Sequence, residues 1–269
     1  MYNTPMTNAL TELQALFGGA FGGQSASASY RYLKDDLDFI TWNTGAGASG
    51  GTTWTTSGGA FTWAQESGDH FGIIKLPKTN NAGLIGNQDT TSGSGVAFAA
   101  LQKAVARFVV LPDNSPEVAN NEWWCGFFNS FTNQQFGALF SAAQGFTNLP
   151  NANGVAGFVN PATGLIAATY NSVSGGNLGY IQTGLQPVAN QWLDLIVVWT
   201  PVANRFYAAV YGNTPVLVAT ITNNICSNQS IYPAIFNASA NTNLYCDRIE
   251  VIWQSTNAKQ WMGEGLLNL

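Results

Sequence analysis

Charge is the scarcest property of this sequence: Lys plus Arg number 9 and Asp plus Glu 14 in 269 residues, 9% of the chain, against roughly 25% in ordinary soluble proteins. Its polar surface must come instead from Asn, Thr, Ser, Gln and Gly, which are neutral hydrogen-bonding groups. With a net charge of -5 the chain lacks the basic footprint that neutralises phosphates, so no nucleic-acid partner is expected. No apolar run approaches the roughly 20 residues that span a bilayer. The start, "MYNTPMTNAL", has no basic segment followed by an apolar one. Neither a membrane partner nor a secretory route is therefore expected.

Cysteine and histidine are nearly as scarce. Cys125, Cys226 and Cys246 are odd in number and widely spaced, which indicates neither a disulfide framework nor a CxxC metal knuckle. Their expected role is that of small buried hydrophobes; Cys226 and Cys246 flank predicted strands, and whether they pair stays open. His70 is the single histidine. Without a second, an HExxH motif and a His-rich zinc site are excluded, and a Ser-His-Asp triad would have to be built on His70 itself. In "ESGDHFGIIKL", with Glu66 and Asp69 beside it, His70 reads as part of a polar turn. No internal repeat recurs at a fixed period, so a solenoid or propeller is not supported.

The remaining chemical motifs are weak. "GAGASG", Gly45 to Gly50, has GxGxxG spacing but is followed by "GTTWTTSGG", turn and strand material rather than the helix that would receive a pyrophosphate. Asp35, Asp36 and Asp38 in "YLKDDLDFITW" lack the loop pattern and distal Glu of a calcium site and read as a solvated turn leading into a strand. Asp247 and Glu250 in "NLYCDRIEVIW" lie three apart on a predicted strand. Strict alternation puts them on opposite faces, where they cannot flank one glycosidic bond. No catalytic residue, metal or cofactor is therefore expected, and the chain reads as a non-enzyme.

What the sequence does contain is strands. Short β-branched and aromatic runs separated by Gly, Asn, Pro and Thr stand at 71–76, 95–110, 122–128, 136–142, 154–159, 164–170, 192–199, 205–211, 215–222 and 244–253. Residues 97–106 also suit a helical turn. This pattern predicts an all-β, two-sheet antiparallel jelly-roll sandwich over residues 30–253. In "NQWLDLIVVWTPVANRFYAAVYG", Leu193, Leu195, Val197 and Trp199 share one face, yet Ile196 and Val198 on the other are apolar too. A strand of that kind is covered on both sides and belongs to the structural centre of a sandwich rather than to a cleft.

The ends read differently. Thr4 and Pro5 suit the start of a short helix on which Met6, Leu10, Leu13 and Phe17 form an apolar stripe. Residues 18–29, "GGAFGGQSASAS", make a flexible linker. So short a helix needs a docking partner, whether another copy, another protein or the sandwich, and residues 1–29 read as an attachment or oligomerisation arm. Residues 254–269 carry Trp261, Leu266 and Leu267 and read as a second docking tail. Among the 9 Trp, 9 Tyr and 16 Phe, Trp54 and Trp63 in "TTWTTSGGAFTW" are the candidate sugar-stacking residues, because they lie in a Gly/Thr-rich region that suits exposure.

The order of segments carries a resemblance. "YLKDDLDFITWNTG", "ESGDHFGIIKL", a Gly/Thr-rich stretch, "FVVLPDNSPEVANNEWWCGFFNS", "NQWLDLIVVWTPVANRFYAAVYGNTPVLVAT" and "LYCDRIEVIWQ" together resemble the concanavalin A-like (laminin-G-like) jelly-roll domains of tailed-bacteriophage structural proteins. The resemblance covers about residues 30–253. It implies a virion location as a capsid decoration, head fibre or tail fibre component, attached by the N-terminal arm to other capsid or tail proteins and self-associated as a homotrimer. The alternative is a lectin-like receptor module for host surface polysaccharide, and after it a depolymerase. The acids that serve related glycosidases and lyases have no matching pair here.

Overall fold

The computed structural model describes residues 29–35, 54–57, 62–63, 72–78, 82–86, 104–114, 123–128, 140–141, 145–146, 154–160, 164–171, 177–200, 202–225, 232–237, 239 and 241–255. Residues 31–253 form one compact unit, and residues 1–30 with 254–269 form another. The expected helix with Met6, Leu10, Leu13 and Phe17, the linker and the tail beyond Ser255 lie outside the described residues.

The strands, numbered in chain order, make two sheets. One has eight strands in the order β15 (Val216–Ile221), β14 (Asn204–Val210), β13 (Leu193–Trp199), β6 (Ala104–Pro112), β17 (Leu244–Ser255), β4 (Ile74–Leu76) and β3 (Thr62–Trp63), with β1 (Ser29–Asp35) pairing on β17. The other has seven, in the order β12 (Asn177–Gln182), β11 (Gly164–Asn171), β10 (Gly154–Asn160), β7 (Trp123–Phe128), β16 (Tyr232–Asn237), β5 (Ala82–Gly86) and β2 (Trp54–Ser57). A short ribbon joins β8 (Phe140–Ser141) to β9 (Gly145–Phe146). Pairs with a defined register are antiparallel, and no helix occurs among the described residues. The all-β antiparallel sandwich is the architecture that the strand pattern predicts. Ala104 opens a strand, so the helical alternative for 97–106 does not extend past residue 103, and residues 97–103 lie outside the described part.

Side-chain alternation builds the core. Leu193, Leu195, Val197 and Trp199 of β13 meet Trp123, Cys125 and Phe127 of β7 across the sheet interface, with Phe108 of β6 and Ile235 of β16 beside them. Burying a large apolar side chain stabilises the fold by about 1.5–3 kcal/mol, so these central strands supply much of the driving force. They are also buried on their other face. Ile196 and Val198 are buried behind β13. Behind β7, the ring of Phe128 lies edge-to-face against Phe236 at 5.0 Å and against Trp124 at 6.2 Å. Runs apolar at every position mark strands covered twice.

Two local features depart from simple alternation. The β6–β17 register shifts between Cys246 and Arg248, a bulge that places one extra residue, Asp247, in β17. Period-two counting therefore does not carry from Asp247 to Glu250, and the opposite-face placement expected for them loses its basis. Cys125 and Cys246 are free, buried thiols, so Cys246 does not pair with Cys226. Burial pushes the Cys125 thiol well above its ordinary pKa, and the Cys246 Sγ lies 3.7 Å from the Arg248 carbonyl oxygen as a weak donor.

Candidate functional site

One end of the sandwich gathers the loops that follow β4, β6 and β12 and the connection from β16 to β17. These segments are rich in Asn because strand exits need residues that accept turn conformations and bind backbone with their side chains. Asn190 shows the first property: it adopts φ 60° just before β13 and donates its N–H to the Pro112 carbonyl at 2.8 Å. Asn237 shows the second. Its buried Nδ2 donates to the carbonyls of Leu76 at 2.8 Å and Thr242 at 2.9 Å, and its Oδ1 accepts from the Ser239 N–H at 3.1 Å. The Ser239 hydroxyl in turn accepts from the N–H groups of Asn241 and Thr242. These bonds tie Asn237, Ser239, Asn241 and Thr242 to one another.

On this frame sits an acid. The Asp113 carboxylate accepts from the Asn243 N–H at 2.8 Å and from Asn243 Nδ2 at 2.6 Å, while Asn243 Oδ1 accepts from the Lys78 N–H at 3.0 Å. The Asn114 amide donates to the Asn241 carbonyl at 3.3 Å. Beside this cluster, Tyr245 faces outward from β17, opposite Lys75 and Leu111 on the neighbouring strands. Lys75 Nζ stands 5.9 Å from the ring centroid, within cation–π reach. Partial burial, with the Asp113 carboxylate adding to it, raises the Tyr245 phenol above its ordinary pKa and keeps it a neutral donor. A ring, a carboxylate and carboxamides are thus held together at an accessible edge.

A second charged cluster lies within the eight-stranded sheet, on the side away from the core. Arg107 of β6 binds Asp194 of β13 through both carboxylate oxygens, and its Nη1 stands 3.6 Å from Glu250 of β17. Arg248 Nε lies 3.8 Å from the other Glu250 oxygen. Burial by itself works against the Arg107 cation. The hydrogen bond and attraction of Asp194, with Glu250 and Tyr211 adding, outweigh it and raise the pKa above the ordinary arginine value. Both acids are buried and both are engaged by Arg107, an arrangement that holds strands together rather than presenting a paired acid to a substrate.

Trp54 and Trp63 stand apart from both clusters in the strand order. Trp54 opens β2, at the end of the seven-stranded sheet, and Trp63 closes β3, at the end of the eight-stranded sheet. They therefore belong to edge strands of different sheets. His70, Asp36, Asp38 and the segment from Gly45 to Gly50 lie outside the described residues. Among the described residues, no group of three or more His, Cys, Asp or Glu side chains is arranged to hold a metal ion. Sequence reasoning missed the Asp113–Asn243–Tyr245 grouping, although "LPDNS" and "NTNLY" both carry amides at strand ends. It also missed Arg107, Asp194 and Glu250 as partners, although Arg107 and Asp194 are each the single charge of an otherwise apolar strand.

No family model matches the chain, and no curated protein matches it in sequence. Solved structures do. The winged bean acidic lectin in complex with methyl-α-D-galactose superposes with a TM-score of 0.50 at 7% identity, over 84% of this chain and 100% of the lectin. Arcelin-5, a lectin-like defence protein of Phaseolus vulgaris, gives 0.49 at 10% identity over 85% and 99%. The exoplasmic/lumenal domain of VIP36, solved with Ca2+ and Man3GlcNAc bound, gives 0.48 at 9% identity over 74% and 83%. In fold, the sandwich is similar to the concanavalin A-like jelly roll of the winged bean lectin. At these identities the likeness is one of fold, and nothing in these neighbours ties the chain to a bacteriophage.

Proposed function

We propose that the protein is a glycan-binding module whose recognition surface is the loop end around Asp113, Asn243 and Tyr245. The observation that carries this reading is the meeting of an aromatic ring with a carboxylate and carboxamides at an accessible edge of a lectin-type sandwich. A pyranose offers an apolar face and a rim of hydroxyls. It is held by a ring to stack on and by convergent donors and acceptors beside it. The low-charge, amide-rich composition supports a neutral ligand, and the winged bean neighbour is a lectin solved with a galactoside. Host surface polysaccharide is the ligand class that the sequence resemblance suggests. Trp54 and Trp63 are the competing location.

A glycan array probed with the full chain tests this. Binding lost in Tyr245→Ala, with thermal stability retained, supports the Asp113 end. Loss confined to Trp54→Ala or Trp63→Ala transfers recognition to the β2 and β3 edges, and a flat array overturns the reading.

A second reading is a non-enzymatic bacteriophage virion protein, a homotrimer attached through Met6, Leu10, Leu13 and Phe17. It is supported by the resemblance in segment order. Mass spectrometry of purified particles tests it, and absence of the chain from them removes it.

A further inference from the structure

We infer that the sugar unit read at the Asp113 end carries an acetamido group, so that the ligand class is the neutral N-acetylhexosamines. The inference rests on the glycan-binding reading above and adds what the patch selects for. Its basis is an array that strand register fixes on the outer face of the eight-stranded sheet. Tyr245 of β17 stands opposite Leu111 of β6 and Lys75 of β4, while Leu244, one position earlier, pairs with Pro112 and Leu76. Leu244, Pro112 and Leu76 are buried, and Leu111, Tyr245 and Lys75 are half-buried. Alternation therefore turns the row of Leu111, Tyr245 and Lys75 outward. Asp113 and Asn243 extend it at the strand ends with the same parity, the Asp113 N–H donating to the Asn243 carbonyl at 3.1 Å.

The polar groups of this array are of opposite kinds. The Asp113 carboxylate can only accept. One of its oxygens takes the Asn243 N–H and the other takes Asn243 Nδ2. A carboxylate has about four lone-pair sites, so both oxygens keep room for a donor from a ligand. The Lys75 ammonium can only donate. Among the described residues it makes no ion pair, and its Nζ stands 5.9 Å from the Tyr245 ring centroid. Beside both groups lies the apolar surface of the Tyr245 ring and Leu111.

An acetamido group matches this set. Its N–H is a donor for Asp113, its carbonyl a strong acceptor for Lys75, and its methyl covers the surface formed by Tyr245 and Leu111. A plain hexose uses the ring and the carboxylate, but it meets Leu111 with a hydroxyl, which loses water without gaining a partner there. An acidic sugar satisfies Lys75 and sets its own carboxylate against that of Asp113. Asp113 and Lys75 cancel in charge, which favours a neutral dipolar group over either ion.

Array features that differ only at C2, N-acetylgalactosamine against galactose and N-acetylglucosamine against glucose, test this with the full chain. The acetamido member of at least one pair is expected to bind more than about tenfold tighter. Lys75→Met brings that ratio to within about threefold of unity, and Lys75→Arg, which keeps a donor, retains it. A variant that merely loosened the fold would weaken both members alike and leave the ratio as it was. The ratio in the unmutated protein decides without any variant. Equal binding within both pairs, preference for the plain hexoses, or strongest binding to uronate or sialate features overturns the inference and leaves the glycan-binding reading standing, whereas a flat array removes both. A ratio untouched by Lys75→Met also overturns it.

Discussion

Arg107 and Asp194 are joined by two parallel hydrogen bonds, Nε to Oδ1 at 2.9 Å and Nη2 to Oδ2 at 2.6 Å, between neighbouring central strands of the eight-stranded sheet. Paired bonds of this kind fix geometry as well as charge, and burial leaves neither partner an alternative in water. Asp194→Ala is expected to destabilise the fold by about 3–5 kcal/mol, because the guanidinium keeps its burial and loses its main counter-charge. Replacing Arg107, Asp194 and Glu250 together by Met, Leu and Leu recovers most of that loss. Urea denaturation of the single and triple variants measures the difference.

Two glycines separate backbone conformation from crowding. Gly164 has φ +78°, and a Cβ there would sit 2.4 Å from the Leu185 carbonyl oxygen, the same oxygen that accepts the Leu165 N–H at 2.8 Å. Gly212 has φ +91° with nothing within 4 Å of its Cβ position. Gly212→Ala carries conformational strain alone, about 1 kcal/mol, and Gly164→Ala more than about 2 kcal/mol because the backbone contact must also open. Thermal denaturation ranks the pair.

The raised pKa of Tyr245 makes stability fall in alkali. In the unfolded chain the phenol ionises at its ordinary value, whereas burial and Asp113 hold it protonated in the folded state. Its contribution is complete below the unfolded value and is lost as pH climbs through the folded one. Tyr245→Phe is expected to flatten the decline in stability above about pH 10. Denaturation midpoints of both proteins between neutral and alkaline pH show whether it does.

Buried thiols should be silent until the fold opens. Cys125 and Cys246 point into the core between the sheets, so alkylation of the native protein is expected to leave both unlabelled, with full labelling in denaturant. Peptide mapping by mass spectrometry after a timed iodoacetamide pulse distinguishes the two states.

Much of the sandwich is legible in sequence because its central strands announce themselves. "LIVVW" and "WWCGFF" are continuous apolar runs, and both prove to be buried on two faces. The predicted strands at 154–159, 164–170, 192–199, 205–211 and 215–222 correspond closely to β10, β11, β13, β14 and β15. The strands not anticipated, β1, β2, β3, β5, β9, β12 and β16, are short, Gly- or Thr-containing, carry Pro233 or, in β1, are interrupted by the charges of Arg31, Lys34 and Asp35, so local propensity is weak and pairing decides their conformation. The candidate site was hidden for another reason. Asp113 and Asn243 are 130 positions apart and meet only because β17 pairs with β6. Separation along the chain, 87 positions in the case of Asp194, likewise hid Arg107 from Asp194 and Glu250. The alternation used to separate Asp247 from Glu250 does not carry across a bulge that no residue type marks.

The position of β17 also bears on how the protein comes to be made. This strand lies between β6 and β4, and the strand before it, β16, lies between β7 and β5. Each sheet therefore has a central slot reserved for a segment that leaves the ribosome late. Until β16 and β17 emerge, β4 and β5 have no partner on the inner side of their sheets, and the two halves of each sheet cannot join. Vectorial synthesis cannot lay this sandwich down strand by strand; the nascent chain must wait, partly open, for its last strands to close both layers.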